Sequence, residues 1–575
     1  MTTDDAYRNV LIESSRTYLL SDRRAVLLDP ARIATLSHRP TMELVKGVVA
    51  LTTADPTIMN DDDAAAVLVD GAKSLMAHLD ALQGQTGLFD GGDNLVSPPD
   101  TSFTINDVCL TLEILSQGAT PSPVVNAVRP DLLNIALRVA PALKVGGIHT
   151  PNHRWEIASA LSGLAVVLSD LQARERAEEW LAEGLDIQPD GLYSERSPNY
   201  AAYVSNCALI SMARRLDRPD MLDIVHRAMR AIVGLIQPDD DVETVQSRRQ
   251  DQFTDFDPEP FLSQARLIAN VFGDDDVAAV ARRLAKRKLA DPCRHLAEIL
   301  IDPRVGETLP EASVPIPADK PVVTDYRTTR LSRVRFGGTA AQPIAAASVY
   351  AGSDFPFTGR IASGLANNPT IVDYAVSGLA VAGVRLSPDF FDLGPVRPTS
   401  ISREGLTYTL VETRASGYYQ PLPKGLRRSD GVYPMSDEGR FFACMAFDER
   451  QRDDMTLTTV LEVAVRDDGF DLTARFDGPR TRYACRLGLV GKGLRIEGAS
   501  RFGEDWLAGE KTAVTASANG RKLVIEHECE PLPEPVRYDP GEAVSYTGGN
   551  DRLRGEYVLI CGATSAPLKL SVRFL

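Results

Sequence analysis

The sequence predicts a multidomain α + β protein, with a helical N-terminal half made of helix pairs followed by a C-terminal antiparallel β-sandwich. Three observations predict it. From about residue 5 to 300 apolar residues recur at helical spacing, as in Trp155, Ala158, Leu161, Leu164, Ala165 and Leu168. Prolines then crowd the stretch 303–322, at Pro303, Pro310, Pro315, Pro317 and Pro321, which breaks the period and marks a linker. Beyond it come short β-rich runs with no helical period between them. The expected boundaries are therefore a helical domain over 1–302, a linker over 303–322 and a β domain over 323–575.

Within the helical half one self-similarity stands out. Ser97-Pro98-Pro99-Asp100, Thr150-Pro151-Asn152-His153 and Ser197-Pro198-Asn199-Tyr200 are offset by 53 and 47 residues, and a weaker member, Ser247-Arg248-Arg249-Gln250, follows 50 later. A Ser or Thr oxygen accepts from the free N–H groups of a helix start, and proline at the first helical position loses no hydrogen bond. About 50 residues hold two helices and their connections, one helical hairpin. In a ring of such hairpins the inner helices run the same way, so their N-termini gather around one cleft.

Asp100, His153, Tyr200 and Gln250 take equivalent third positions and are expected to converge there. Helix N-termini carry partial positive charge and free donors, which suits a carboxylate-bearing ligand and keeps a nearby histidine neutral. The polar loop Phe89-Asp90-Gly91-Gly92-Asp93-Asn94 belongs to the same expected rim. Around Tyr200 lie Asp190, Tyr193, Glu195, Arg196 and Tyr203, and Arg249 offers a cation for a substrate carboxylate. Each group has a plainer alternative: a capping or surface histidine, a solvated turn, a core tyrosine, an exposed arginine pair.

In the β half the expected strands cover 333–336, 345–350, 408–413, 457–465, 523–528 and 568–575. Asn519-Gly520 separates two runs as a type I′ hairpin turn does. Such a series without helices between argues for packed antiparallel sheets. The loop Gly417-Tyr418-Tyr419-Gln420-Pro421-Leu422-Pro423 is the most distinctive here, with Tyr419 a candidate substrate contact.

At 575 residues and 62.5 kDa the chain can bury large cores, and 44% hydrophobic content is ordinary for a globular protein. The start, Met1-Thr2-Thr3-Asp4-Asp5, is acidic where a signal peptide is basic, and no apolar run approaches roughly 18 residues, so a cytoplasmic chain without membrane partner is expected. Seven cysteines with no Cys-x-x-Cys pair are expected to be reduced. A formal net charge of −16 opposes nucleic acid, while a short acidic oligosaccharide tolerates that field. No His-x-His, His-Glu-x-x-His or phosphate-loop pattern occurs, so neither metal nor organic cofactor is expected. A homo-oligomer is compatible with the sequence.

The string Asn152-His153-Arg154-Trp155, then Asp190-Gly191, then Glu195-Arg196-Ser197-Pro198-Asn199-Tyr200, resembles the heparinase II/III-like polysaccharide lyases and their alginate-lyase relatives. The motif-level likeness spans about residues 90–251. It implies an incomplete (α/α) toroid joined to a β-sandwich, and β-elimination next to a uronic acid. By that likeness Asn152 and His153 neutralise the uronate and Tyr200 exchanges protons, with Tyr203 in reserve. Asp90, Asn94, Asp100, Arg154, Glu195, Tyr203, Arg249 and Tyr419 are the expected substrate contacts. The sequence departs from the pattern in the β domain, where the family usually has a histidine, sometimes with zinc. Here 357–374 holds Arg360, Ser363, Asn367, Asn368 and Asp373 and no histidine. Two other functions fit the residues: a glycoside hydrolase using a carboxylate pair drawn from Asp90, Asp100, Glu156, Asp190 and Glu195, and a sugar-binding protein without catalysis.

Overall fold

The computed structural model describes the chain apart from residues 1–2, 91–93, 118–120, 312–314, 318, 511–512, 547–550 and 552–553. Two compact units form, one from residues 1–194, 199–233 and 257–313, the other from 195–198, 234–256 and 314–575. The division thus does not fall at one point in the linker. Segments 195–198 and 234–256, expected in the helical domain, group with the β-sheets. The expected positions 91–93 of the polar loop, and 312–314 and 318 of the linker, lie outside the described residues.

The helical unit contains α1 (Asp5–Thr17), α2 (His38–Ala54), α3 (Asp62–Leu82), α4 (Pro98–Ser116), α5 (Pro123–Val145), α6 (His153–Leu168), α7 (Leu171–Leu181), α8 (Asn206–Arg215), α9 (Asp220–Leu235), α10 (Leu262–Phe272), α11 (Asp275–Leu284) and α12 (Pro292–Ile301). Composition sorts them into two layers. In α4 every residue from Val108 to Leu115 is buried, and in α6 every residue from Trp155 to Leu164, so these helices are surrounded on all sides. By contrast α7 buries only Ala173 and Ala177.

The inner helices follow one another in contact: α2 on α4, α4 on α6, α6 on α8. Asn206 of α8 donates to Gln264 Oε1 of α10 at 2.9 Å, α10 packs on α12, and α12 returns to α2. A buried ion pair stiffens this layer, with Arg215 donating to both Glu113 oxygens at 3.0 and 3.1 Å. No described helix is long and apolar enough to cross a membrane.

Two of the expected helix starts differ in detail. Ser97 caps α4 as expected, accepting from the Asp100 N–H at 3.1 Å. Thr150-Pro151 instead forms a turn, and α6 begins at His153 with Asn152 in the cap position. The weak fourth member, Ser247-Arg248-Arg249-Gln250, opens no inner helix. Gln250–Phe253 is a single 3-10 turn in the β unit, held where Arg248 grips both Asp354 oxygens at 2.8 Å and Gln252 accepts from the Asn367 N–H at 2.8 Å. Those contacts outbid a helical register that the sequence supports only weakly.

In the β unit the described residues form a nine-stranded and an eight-stranded sheet, almost wholly antiparallel. The strand Arg452–Arg466 pairs with Thr407–Tyr419 on one side and Gly469–Asp477 on the other. Leu457, Thr459, Leu461, Val463 and Val465 point inward while their neighbours are more open, the two-residue period of a half-buried strand. The inner faces of both sheets share one core, including Tyr374, Leu386, Tyr483 and Leu487 from one and Leu461, Leu472, Leu570 and Val572 from the other. Asn519 (φ 52°) and Gly520 (φ 74°) are both left-handed, as a type I′ turn requires. All seven cysteines are unpaired.

Candidate functional site

A cavity of about 420 Å³ opens inside the helical unit. Its wall comes chiefly from the N-terminal halves of the inner helices: Arg39 and Glu43 of α2, Asn106 and Asp107 of α4, Glu156 of α6, and Arg294 of α12. Glu259, just before α10, and Tyr203, just before α8, complete it. The N-terminal halves of several helices thus converge on one space, and the N-terminal end of a helix carries partial positive charge.

Glu156 is 3% exposed, and Asn106 Nδ2 donates to its Oε2 at 2.8 Å. Burial pushes its carboxyl up to about 8, against the pull of Asn106 and of the Arg39 charge, so at neutral pH it carries a proton. Burial works against the Lys46 charge, but Asp107 at 2.7 Å together with Asp291 and Glu43 raises the ammonium above its ordinary value. Arg39 is engaged by Asp100 and lies over the Phe103 ring, 3.9 Å from its centroid.

Tyr203 sits in an unusual turn. After Pro198–Tyr200 the chain widens into a π-turn over Ala201–Ser205 before α8 begins. The Ala202 carbonyl accepts from Gln264 Nε2 at 2.6 Å and from Arg294 at 3.2 Å, and such turns recur at functional sites. The Arg294 guanidinium stands 4.8 Å from the Tyr203 ring centroid. Burial raises the Tyr203 hydroxyl, and Arg294 opposes the rise.

The remaining expected residues divide between the units. In the helical unit Asn152 is buried, and His153 packs edge-on against His149, with ring centroids 4.6 Å apart. Tyr200 is half-buried at the end of the short turn that leads to Tyr203. Asp100 accepts from Asn94 Nδ2 at 2.8 Å, and Asp90 accepts from the Val96 N–H at 2.7 Å. Arg154 bonds Glu183 at 3.0 Å and covers Trp155, so its side chain is committed to packing near the end of α7.

Glu195, Arg249 and Tyr419 belong to the β unit. Arg249 pairs with Glu195 at 3.3 Å, and Tyr419 donates to Glu438 at 3.3 Å and packs on Phe447. The histidine-free stretch 357–374 holds structure together: Asn368 Nδ2 donates to the Gln252 carbonyl at 2.9 Å, and Asp373 joins a buried cluster with Glu243 and Arg333. Among the described residues no three His, Cys, Asp or Glu side chains gather as a metal site requires.

Sequence reasoning missed the contributions of α2 and α12. Both carry a start signal, Ser37-His38-Arg39-Pro40 and Asp291-Pro292, and Asp291 does cap α12 by accepting from the Cys293 N–H at 3.1 Å. It also missed His38, which bonds Thr104 at 2.6 Å, stacks on Phe89 and is pushed down to about 4 by burial.

By sequence, no family model and no curated protein matches the chain. Among solved structures, heparinase III is similar with a TM-score of 0.50 at 12% identity, over 92% of this chain and 75% of that one. A second heparinase III gene product gives 0.48 at 11% identity over 91% and 77%. A chondroitin AC lyase of Streptomyces coelicolor A3, solved with chondroitin sulphate, gives 0.47 at 11% identity over 99% and 77%. The chain has the heparinase-like polysaccharide lyase fold.

Proposed function

We propose that the protein is a carbon–oxygen lyase that cleaves an acidic oligosaccharide or polysaccharide beside a uronic acid by β-elimination. The observation that carries this is the buried Glu156, held by Asn106 on the wall of a cavity lined chiefly by the N-terminal halves of the inner helices, with its carboxyl pushed up by burial to about 8. A uronate carboxylate brought there meets a carboxyl proton and the partial positive charge of helix N-termini instead of a like charge. The heparinase III fold supports the same reading.

Neutralising the carboxylate is the chemical crux, because it acidifies the C5 proton. Asn152, beside the Glu156 turn, shares that task. His153 or Tyr200 removes the C5 proton, the electron pair forms the C4–C5 double bond, and the C4–oxygen bond breaks. Tyr200, or Tyr203 facing Arg294, gives a proton to the leaving oxygen. Burial raises the Tyr203 hydroxyl and Arg294 opposes the rise, so that phenol keeps its proton and suits the donor role. No step calls for a metal or organic cofactor.

Incubation with a panel of uronate-containing oligosaccharides, followed at about 235 nm, tests the proposal through the conjugated double bond that elimination creates. Absorbance must grow as chains shorten. New reducing ends without that absorbance identify a hydrolase using Glu156 as its acid, and binding without any product identifies a sugar-binding protein.

A further inference from the structure

The β unit buries a guanidinium that the carboxylates around it leave uncompensated. Arg397, just before the strand Ser400–Glu404, is 2% exposed, and its Nη1 donates to the Pro395 carbonyl at 3.4 Å. Its Nε and Nη2 are buried and have no hydrogen-bond partner among the described residues. Those two N–H groups share one edge of the guanidinium plane and point the same way, the fork that grips a single acceptor from two sides. The Phe355 ring, its centroid 4.5 Å from Arg397 Cζ, offers the face of a π-system but no full countercharge.

The nearby carboxylates are committed elsewhere. Glu412 accepts from Arg414 Nε at 2.7 Å and spends its other oxygen on the Arg397 main-chain N–H at 2.8 Å. Asp551 lies 3.3 Å from Arg385 and accepts from the Tyr538 hydroxyl at 3.0 Å. Arg385, Arg397 and Arg414 thus share Glu412 and Asp551, and one positive charge is left over. Burial, joined by the Arg414 charge, pushes the Arg397 guanidinium down to about 10, so at neutral pH it still carries its proton. A buried charge is costly unless paired, and a water molecule supplies an acceptor without a charge.

The space beside the guanidinium sets the size of a partner. A cavity of about 10 Å³ has Arg397 and Phe355 on its wall, room for one water-sized particle. Carboxylate, phosphate and sulfate groups each carry three or more heavy atoms and do not fit whole, whereas a halide is a single atom. Of the other charged groups on the wall, Arg440 donates to Glu438 at 3.0 Å and lies 3.9 Å from Glu542, and Asp392 is exposed, so water screens it.

We propose that this cavity is a halide site, in which one chloride ion accepts from the Nε–H and Nη2–H of Arg397 and neutralises it. The site does not rest on the elimination proposed above. Thermal melts of the full chain test it at constant ionic strength, with sodium gluconate exchanged for sodium chloride up to about 0.15 M. Wild type gains about 2 °C or more as chloride replaces gluconate, in a response that saturates. Arg397→Met keeps the length of the side chain and removes the charge, so it loses that response and in gluconate melts no lower than wild type. If the variant does not fold, wild-type crystals soaked in sodium bromide keep the test standing, because bromide scatters anomalously and must appear within hydrogen-bond reach of both Nε and Nη2. No anomalous peak there, equal melting in chloride and gluconate, or an equal chloride response in Arg397→Met overturns the proposal.

Discussion

Asn106 Nδ2 donates both to Glu156 Oε2 at 2.8 Å and to the Glu156 main-chain oxygen at 3.2 Å, clamping one buried carboxyl in a fixed orientation on the cavity wall. The amide is neutral, so it orients Glu156 without repaying the full cost of burying a charge. The result is a carboxyl whose other oxygen is available to a ligand and which holds its proton at neutrality.

The first prediction concerns pH and activity. If the protonated form of Glu156 is the working one, kcat/KM on the best uronate substrate falls as pH rises through about 8. Glu156→Gln keeps a neutral donor of the same shape, so the variant remains active at pH 7 and loses that alkaline limb. A pH–rate profile in which both proteins fall alike between pH 7 and 9 would remove Glu156 from the mechanism.

Stability gives a second readout on the same group. The folded carboxyl keeps its proton up to about 8, whereas the unfolded one releases it near the ordinary 4.5. Between those values the native state binds more protons, so the contribution of Glu156 is complete below 4.5 and drains away as pH rises to about 8, at roughly 1.4 kcal/mol per pH unit at most. Thermal melts of wild type and Glu156→Gln from pH 4 to 9 should diverge in that window, with the variant gaining on wild type toward alkaline pH. Parallel curves would contradict the burial of an ionisable group there.

In the β unit the third prediction rests on Arg333, fully buried, which donates to Ser348 Oγ at 2.6 Å and to Glu243 at 3.2 Å. Burial works against the Glu243 charge, but Arg333 together with hydrogen bonds from Ser348 and the Val245 N–H holds Glu243 low, while burial and the Glu243 charge push Asp373 well above its ordinary range. Arg333→Met strands a buried carboxylate and should cost about 3–5 kcal/mol in denaturant unfolding. The double variant Arg333→Met/Glu243→Leu should recover much of that loss. A single variant as stable as wild type would mean that water reaches the pair.

That cluster also shows where sequence reading stops. Helical period, the proline break and the Asn519-Gly520 turn are local signals, and the fold class follows from them. Arg333 and Glu243 are 90 residues apart, and nothing local says that segment 234–256 leaves the helices to join the sheets. The Ser-Pro and Thr-Pro starts led to the inner helices because capping is a four-residue interaction. They misled at Ser247, where tertiary contacts of Arg248 and Gln252 decide the backbone. Glu156 was legible as a carboxylate one turn beyond His153, but its protonation was not, since that depends on how completely six helices exclude water.

The last prediction separates two tyrosines. Tyr200→Phe should lower kcat by roughly 10²- to 10⁴-fold with little change in KM, as expected for loss of a hydroxyl that moves a proton only in the transition state. The ring stays, so the packing of the Pro198–Tyr200 turn is retained, and an unchanged circular dichroism spectrum and melting temperature check this. Tyr203→Phe is the counterpart, because Tyr203 lines the cavity and its ring lies under Arg294. Phenylalanine keeps that cation–ring contact and removes only the hydroxyl. If Tyr200 carries the proton, Tyr203→Phe mainly alters KM. Should Tyr203→Phe lose kcat while Tyr200→Phe keeps it, the widened turn and Arg294 have set the acid one turn further along. Full activity in both variants would leave neither phenol in the reaction, and β-elimination by a tyrosine would be wrong for this cavity.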